Sequence, residues 1–304
     1  MRTALELAPP LPRDVAAILS VHAYYTAIRG GLGIPFARVL DREAFQLAEQ
    51  VAESEFYEAL RPRLAALYRS PLEDEGLRRA YEGDRLRPFL RNHYRANPRA
   101  ALGMRDVLDE FKVSTFNLGG QYALDSLGLA GRFRIEDDAI LSGLQEDSRQ
   151  STSVDGDLSL VDTTVTELTG QLEAHRAGGS LLADAIPAVN AWVIGRAVIR
   201  TAIIVQTESV RASRWAILSA FVGNGIGGVT FYTVADERVC FLCRPLHGER
   251  FDIRSVFTPF RDLPAYARIP LHPRCRCFYD AITDGWLKPA VIWTGFALAG
   301  VLNE

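Results

Sequence analysis

Lysine is almost missing from this chain. Lys112 and Lys288 are the only lysines among 34 basic residues, so nearly all positive charge sits on arginine forks, which suit phosphate and carboxylate alike. Long apolar runs are missing too. The longest, near Trp293 to Leu302, falls short of the eighteen or more residues that a membrane span requires, so no span is expected. The start of the chain shows no secretory pattern, because the run A-L-E-L-A-P-P-L-P after Met1-Arg2-Thr3 is short and broken by three prolines. These absences predict a soluble protein made inside a cell, where reduced thiols favour metal over disulfide. No internal repeat or low-complexity segment is evident. The five histidines, His22, His93, His175, His247 and His272, stand in no G-x-S-x-G or H-E-x-x-H context, so the sequence offers no hydrolytic triad.

The composition that remains is ordinary for a globular protein. At 304 residues, 48% hydrophobic and 23% charged, the chain can hold one large or two medium domains with a sizeable core. Its net charge of −3 is unevenly spread: residues 61 to 105 carry eleven arginines against five acids, and 106 to 184 carry fifteen acids against five bases. Over 72 to 99 the arginines interleave with aromatics, which suits stacking plus phosphate contact and equally suits a solvated amphipathic helix. Arg85, Arg87, Arg91 and Arg95 form the candidate surface toward DNA or a partner protein.

Apolar periodicity predicts a mainly α-helical fold that ends in a small α+β, zinc-knuckle-like domain with three short strands. After a proline-containing arm over 1 to 13, Asp14 caps a first helix that Gly30-Gly31 stops. Phe45, Ala48, Ala52, Phe56 and Leu60 then repeat on one helical face, and Pro62 fits the first turn of a following helix. Helical spacing resumes from Met104 to Leu127, and 135 to 222 reads as helical with short breaks, Ile186 to Phe221 being one long helix or two in series. There Glu208, Arg211 and Trp215 share one side, and Glu208 with Arg211 is expected to brace the long helix against the knuckle. Past Gly223-Asn224-Gly225, strands are expected at V-T-F-Y-T-V-A, near Arg250 to Ile253, and at C-R-C-F-Y-D-A-I. The chain thus divides into a helical N-terminal region with its arm (1–130), a helical core (131–222), the knuckle (223–285) and an apolar tail (286–304).

All four cysteines fall between 236 and 282. Cys240 and Cys243 make a C-x-x-C step, and His272, Cys275 and Cys277 make H-x-x-C-x-C further on. A tetrahedral Zn²⁺ takes four sulfur or imidazole ligands, and two-residue spacers let a tight turn aim both side chains at one point. A C-x-C pair in extended chain places both side chains on one face. Five donors for four positions leave one over, with His272 or Cys275 the candidates. Two disulfides are the competing arrangement, for which four cysteines allow three connectivities.

Taken together, the T-E-S-V-R-A-S helix, the strand, D-E-R-V-C-F-L-C-R-P-L-H-G-E-R-F and I-P-L-H-P-R-C-R-C resemble the Mu F-like head morphogenesis family, the minor head proteins of tailed bacteriophages. The resemblance covers residues 200 to 282 as motif. It maps onto Thr207, Glu208, Asp236, Arg238, Cys240, Cys243, His247, Gly248, His272, Pro273, Cys275, Arg276 and Cys277. It implies a non-enzymatic virion component, made in the host cytoplasm and placed in the head interior near the portal vertex. The implied role is head assembly and DNA packaging or ejection. The implied partners are the portal protein, major capsid or scaffold proteins, and packaged double-stranded DNA. Asp236 is expected to cap the knuckle turn.

Rival classes have weaker footing. A zinc deaminase would use His247-Gly248-Glu249 as H-x-E, with the glutamate shuttling protons for a zinc-bound water. The C-x-C spacing does not place both sulfurs on one helix face, and Cys240 and Cys243 would be left unexplained. A thioredoxin-like role wants the first cysteine at a helix N-terminus, whereas this pair follows a strand. A zinc-dependent nucleic-acid-binding module is the stronger alternative, recognised by steeply salt-dependent binding.

Overall fold

The structure, a computed structural model, describes residues 42–129, 131, 133, 138–153, 159–233, 241–253 and 269–284. The arm at 1 to 13, the helix expected from Asp14 and the tail from 286 lie outside these residues, as do Asp236, Arg238 and Cys240. Among the described residues, seven helices precede a small sheet. They are α1 (Arg42–Arg69), α2 (Gly76–Glu82), α3 (Leu86–Ala96), α4 (Arg99–Ser126), α5 (Asp138–Ser151), α6 (Leu160–Ala177) and α7 (Leu182–Gly223). The strands are β1 (Gly228–Tyr232), β2 (Arg250–Asp252) and β3 (Phe278–Ala281). The fold is therefore mainly helical with a three-stranded antiparallel sheet near the C-terminus, as the periodicity predicts.

α1 keeps one apolar face along its length, with Phe45, Ala48, Ala52, Phe56, Leu60, Leu64 and Leu67 all buried. Pro62 does not start a new helix, as its local rule suggested; it lies inside α1 on the exposed side. Its ring and missing N–H disturb only the solvent face. The buried leucines on either side, each worth roughly 1.5–3 kcal/mol, hold the helix in register across it.

α7 runs for 42 residues without a break at Gly195. By length and composition it could cross a membrane. Here it packs on α1 and α4, with 39% of its most apolar stretch buried, and its buried Arg200, Glu208, Ser213 and Arg214 bond or pair with neighbouring elements. Two apolar clusters lie end to end along it. One joins the second half of α1, α2, α3, the first half of α4, α6 and the first half of α7. The other joins the start of α1, the second half of α4, α5, the second half of α7 and the sheet with its cysteines. α4 and α7 touch backbone to backbone where a Cβ on Gly119 would collide with Ser213.

Buried charges pin the helices together. Arg200, 5% exposed, donates to Tyr68 Oη and Thr164 Oγ1, both at 2.7 Å, and so ties α7 to α1 and α6. Lys112 on α4 pairs with Asp147 of α5 and, at 3.0 Å, with Glu208 of α7. Arg211 sits 3.0 Å from Glu208 and 3.6 Å from Asp147. Burial works to raise the Asp147 pKa, but Lys112 and Arg211 outweigh it and hold the carboxyl below its usual range. Glu208 and Arg211 therefore brace α7 against α4 and α5, and not against the knuckle as expected. They lie on the side of α7 that also carries Trp215, whose ring meets Phe116 of α4 edge-on at 5.5 Å.

The knuckle is held by Arg214 instead. Its guanidinium donates to Glu49 Oε1 and Oε2 on α1 at 2.6 and 3.0 Å, and its Nε donates to the Cys277 carbonyl at 3.0 Å. Ser213 adds a hydrogen bond to Glu49 at 2.5 Å, and the guanidinium carbon lies 5.1 Å from the Phe45 ring centre. The sheet order is β2-β1-β3, with Val229 opposite Phe251 and Ala281 and Phe231 opposite Tyr279. Alternation along β1 turns Val229 and Phe231 into the core.

Two outcomes follow from this charge layout. Arg214→Ala leaves Glu49 buried without its counter-charge and is expected to cost about 3–5 kcal/mol, read as a lower urea midpoint. Glu53, one turn along α1, has its pKa pushed from 4.5 to about 8, chiefly by burial and next by Glu49, against Ser209 and Arg214. In the unfolded chain it ionises near its ordinary value, so the stability due to neutral Glu53 is present below pH 4.5 and lost as pH rises to 8. Glu53→Gln is therefore expected to raise the urea midpoint over the native chain at pH 8 and to leave it unchanged near pH 4.

Candidate metal centre

The first half of the site is built from the β1–β2 connection. Phe231 N–H donates to the Glu249 carbonyl and Gly248 N–H donates to the Phe231 carbonyl, both at 2.8 Å. Gly248 has φ +84°, a left-handed turn conformation that a side chain would strain. His247 fastens the same turn: its Nδ1 accepts from Thr233 N–H at 3.2 Å and lies 2.8 Å from Thr233 Oγ1. The residues His247 and Gly248, mapped by the family resemblance, thus shape the turn. Cys243 stands just before the 3-10 turn Arg244–Leu246 and points inward, 1% exposed.

The second half comes from the segment that enters β3. Cys275 N–H donates to the His272 carbonyl at 3.1 Å, closing a tight turn over Pro273 and Arg274. The chain then extends, so Cys275 and Cys277 both face the core while Arg276 faces the other way. Arg276 borders a small polar cavity with Glu49, Glu53, Gln206 and Arg214.

These two halves bring the Sγ atoms of Cys243, Cys275 and Cys277 within 4.8 Å of one another. Cys243 and Cys275 are 3.9 Å apart, and His272 Nε2 lies 3.1 Å from Cys243 Sγ. His272 Nδ1 is 2.8 Å from the Pro273 carbonyl, an acceptor only, so Nδ1 carries the proton and Nε2 offers its lone pair toward Cys243 Sγ. That tautomer is the one a metal requires. The Cys277 side chain hydrogen-bonds Cys275 and, against burial, pulls the Cys275 pKa down to about 5, while the same contact pushes Cys277 up. Three thiols this close cannot all ionise beside one another unless a cation sits among them. The buried group can therefore hold a metal ion.

None of the three described cysteines is in a disulfide, so the arrangement with two disulfides is not the one formed. Cys275, one of the two candidates for the spare ligand, sits inside the sulfur group. Cys240 lies outside the described residues, as do Asp236 and Arg238. His247, the ligand of the deaminase reading, and Glu249, its proton shuttle, are both exposed, and His247 lies outside the group of three sulfurs.

Two contacts reach the centre from α7: Arg274 N–H donates to Thr207 Oγ1 at 3.2 Å, and Arg214 holds the Cys277 carbonyl. Arg214 and Glu49 were absent from the sequence-based site. A signal for Glu49 was present, since a glutamate beside Ala48 on the apolar face of α1 needs a buried partner. Away from this centre, Arg91 is 2.7 Å and Arg87 3.9 Å from Asp162 of α6; Arg85, Arg87 and Arg95 are exposed and Arg91 is half-buried. Compared with known proteins, the chain matches no family model, no curated protein and no solved structure.

A soft divalent ion such as Cd²⁺ added to reduced protein is expected to release protons and to slow alkylation of Cys243, Cys275 and Cys277 together. Peptide mapping of the alkylated residues checks this, and alkylation at an unchanged rate would show that the sulfurs hold no ion.

Proposed function

We propose that this chain is a structural minor head protein of a tailed bacteriophage, placed near the portal vertex, whose C-terminal knuckle is closed by Zn²⁺. One observation carries the reading: the separated segments that resemble the Mu F-like family meet at a single point. Thr207 of the helix segment bonds Arg274, and Cys243 of the first cysteine segment lies 3.9 Å from Cys275 of the second. Zinc–sulfur bonds of about 2.3 Å at tetrahedral angles put sulfurs about 3.8 Å apart, in line with that separation. Cys243, Cys275 and Cys277 supply three ligands, and His272, whose Nε2 lies 3.1 Å from Cys243 Sγ, is the described candidate for the fourth.

Burial of all three sulfurs supports a closed structural ion, since a catalytic zinc keeps one position for water. The ion supplies a crosslink between the β1–β2 connection and the entry to β3. Thr207 and Arg214 then seat that crosslinked unit on α7. In this reading the portal protein, major capsid or scaffold proteins and packaged double-stranded DNA are the partners, with the surface of Arg85, Arg87, Arg91 and Arg95 facing one of them.

Metal analysis with thiol titration of the purified protein is expected to give one Zn²⁺ per chain and protected thiols. Ion-free protein with every thiol reactive overturns the zinc assignment. Cys243→Ser is expected to lose the ion and open 241–284 to protease, to leave the helical signal intact, and to lower incorporation into heads. Absence of the protein from purified particles of the virus that encodes it overturns the head-protein reading.

A further inference from the structure

A second polar constellation lies at the other end of the molecule. Ser70 is the first residue of the 3-10 turn Ser70–Glu73 that follows α1, and it is partly exposed. Its Oγ lies 2.8 Å from His93 Nε2, and His93 Nδ1 lies 2.7 Å from Asp74 Oδ2. His93 itself is 8% exposed, held on the last turn of α3 between the rings of Phe89 and Tyr94 at 6.2 and 5.6 Å. Asp74 is fixed in turn, because its Oδ1 accepts from Gly76 N–H at 2.8 Å. That approach depends on glycine: a Cβ at Gly76 would stand 2.9 Å from the Phe89 ring and 3.1 Å from Asp74 Oδ1.

The hydrogen bonds assign the proton positions. Gly76 N–H first and His93 second keep the Asp74 pKa below the usual carboxylate range, and the ionised carboxylate can only accept. Nδ1 therefore donates to Asp74, and Nε2 is left to accept the Ser70 hydroxyl proton. This is the serine–base–orienter logic of acyl transfer, recognised by geometry and roles and independent of sequence order.

We propose that Ser70 is a nucleophile activated by His93 and oriented through Asp74, able to take the acyl group of a carboxylic ester and pass it to water. Ser70 Oγ forms the bond to the carbonyl carbon as its proton moves to His93 Nε2. Collapse breaks the bond to the alcohol oxygen, and the alcohol leaves with that proton. Water then repeats the cycle through His93 and releases the acid, so ester and water become acid and alcohol. Pro71 follows Ser70 and offers no N–H for an oxyanion, so the gain is that of general base catalysis, about 10²–10⁴-fold over an ordinary serine. The activity rests on a site separate from the sulfur cluster and from the head-protein reading.

The test is labelling of the full chain with an alkyl fluorophosphonate, where Ser70 Oγ displaces fluoride from phosphorus, followed by peptide mapping. Native protein is expected to carry the label on Ser70 and to lose reactivity when denatured. Ser70→Ala and His93→Gln are expected to remove it with the helical circular dichroism retained. Asp74→Asn is expected to lower the limiting labelling rate at least about tenfold, leaving the half-saturating probe concentration unchanged. If His93→Gln fails to fold, hydrolysis of p-nitrophenyl acetate by native protein against Ser70→Ala decides. No label on Ser70, equal labelling after denaturation, or ester hydrolysis unchanged in Ser70→Ala overturns the proposal.

Discussion

The Glu49–Arg214 pair is buried on both sides, and three separate parts of the chain are fixed by it. Glu49 belongs to α1, Arg214 to α7, and the Arg214 Nε holds the Cys277 carbonyl at the entry to β3. A buried ion pair is costly to desolvate, so it is retained only where its geometry is complete. Here both carboxylate oxygens and the guanidinium Nε are engaged, Ser213 adds a donor, and the Phe45 ring covers the cation. The pair sets the height at which the knuckle meets the helices. A shift of either helix along its axis would break the contact with the cysteine segment.

The knuckle has need of such an anchor. Its described strands hold only five, three and four residues, too little sheet to be stable by itself. Its inward residues, Val229, Phe231 and Tyr279, bury themselves against the second half of α7 and α4, in the same cluster as the three sulfurs. The sulfur group is thus part of a hydrophobic core and not an appendage to it. A metal among those sulfurs would tie together two loop segments that backbone pairing alone leaves loosely joined.

Helix positions were legible in the sequence because burial repeats along them: Phe45, Ala48, Ala52, Phe56 and Leu60 define α1 without any knowledge of its neighbours. Pro62 was misread because the proline rule is local while the burial of Leu64 and Leu67 is not. Glu208 and Arg211 were placed correctly on one side of α7, but a helical wheel does not say what that side faces. Spacing named five donors, Cys240, Cys243, His272, Cys275 and Cys277; the meeting of Cys243, Cys275 and Cys277 depends on β1 pairing with both β2 and β3. Ser70, Asp74 and His93 carried no readable pattern, since a chain turn, a cap and a helix end supply them at separations fixed only by packing.

α7 is the element shared by everything above. At 42 residues it extends about 63 Å, and both apolar clusters are laid against it. Each cluster keeps its own contacts along that rod, so the knuckle end can open while the helices at the serine turn stay packed.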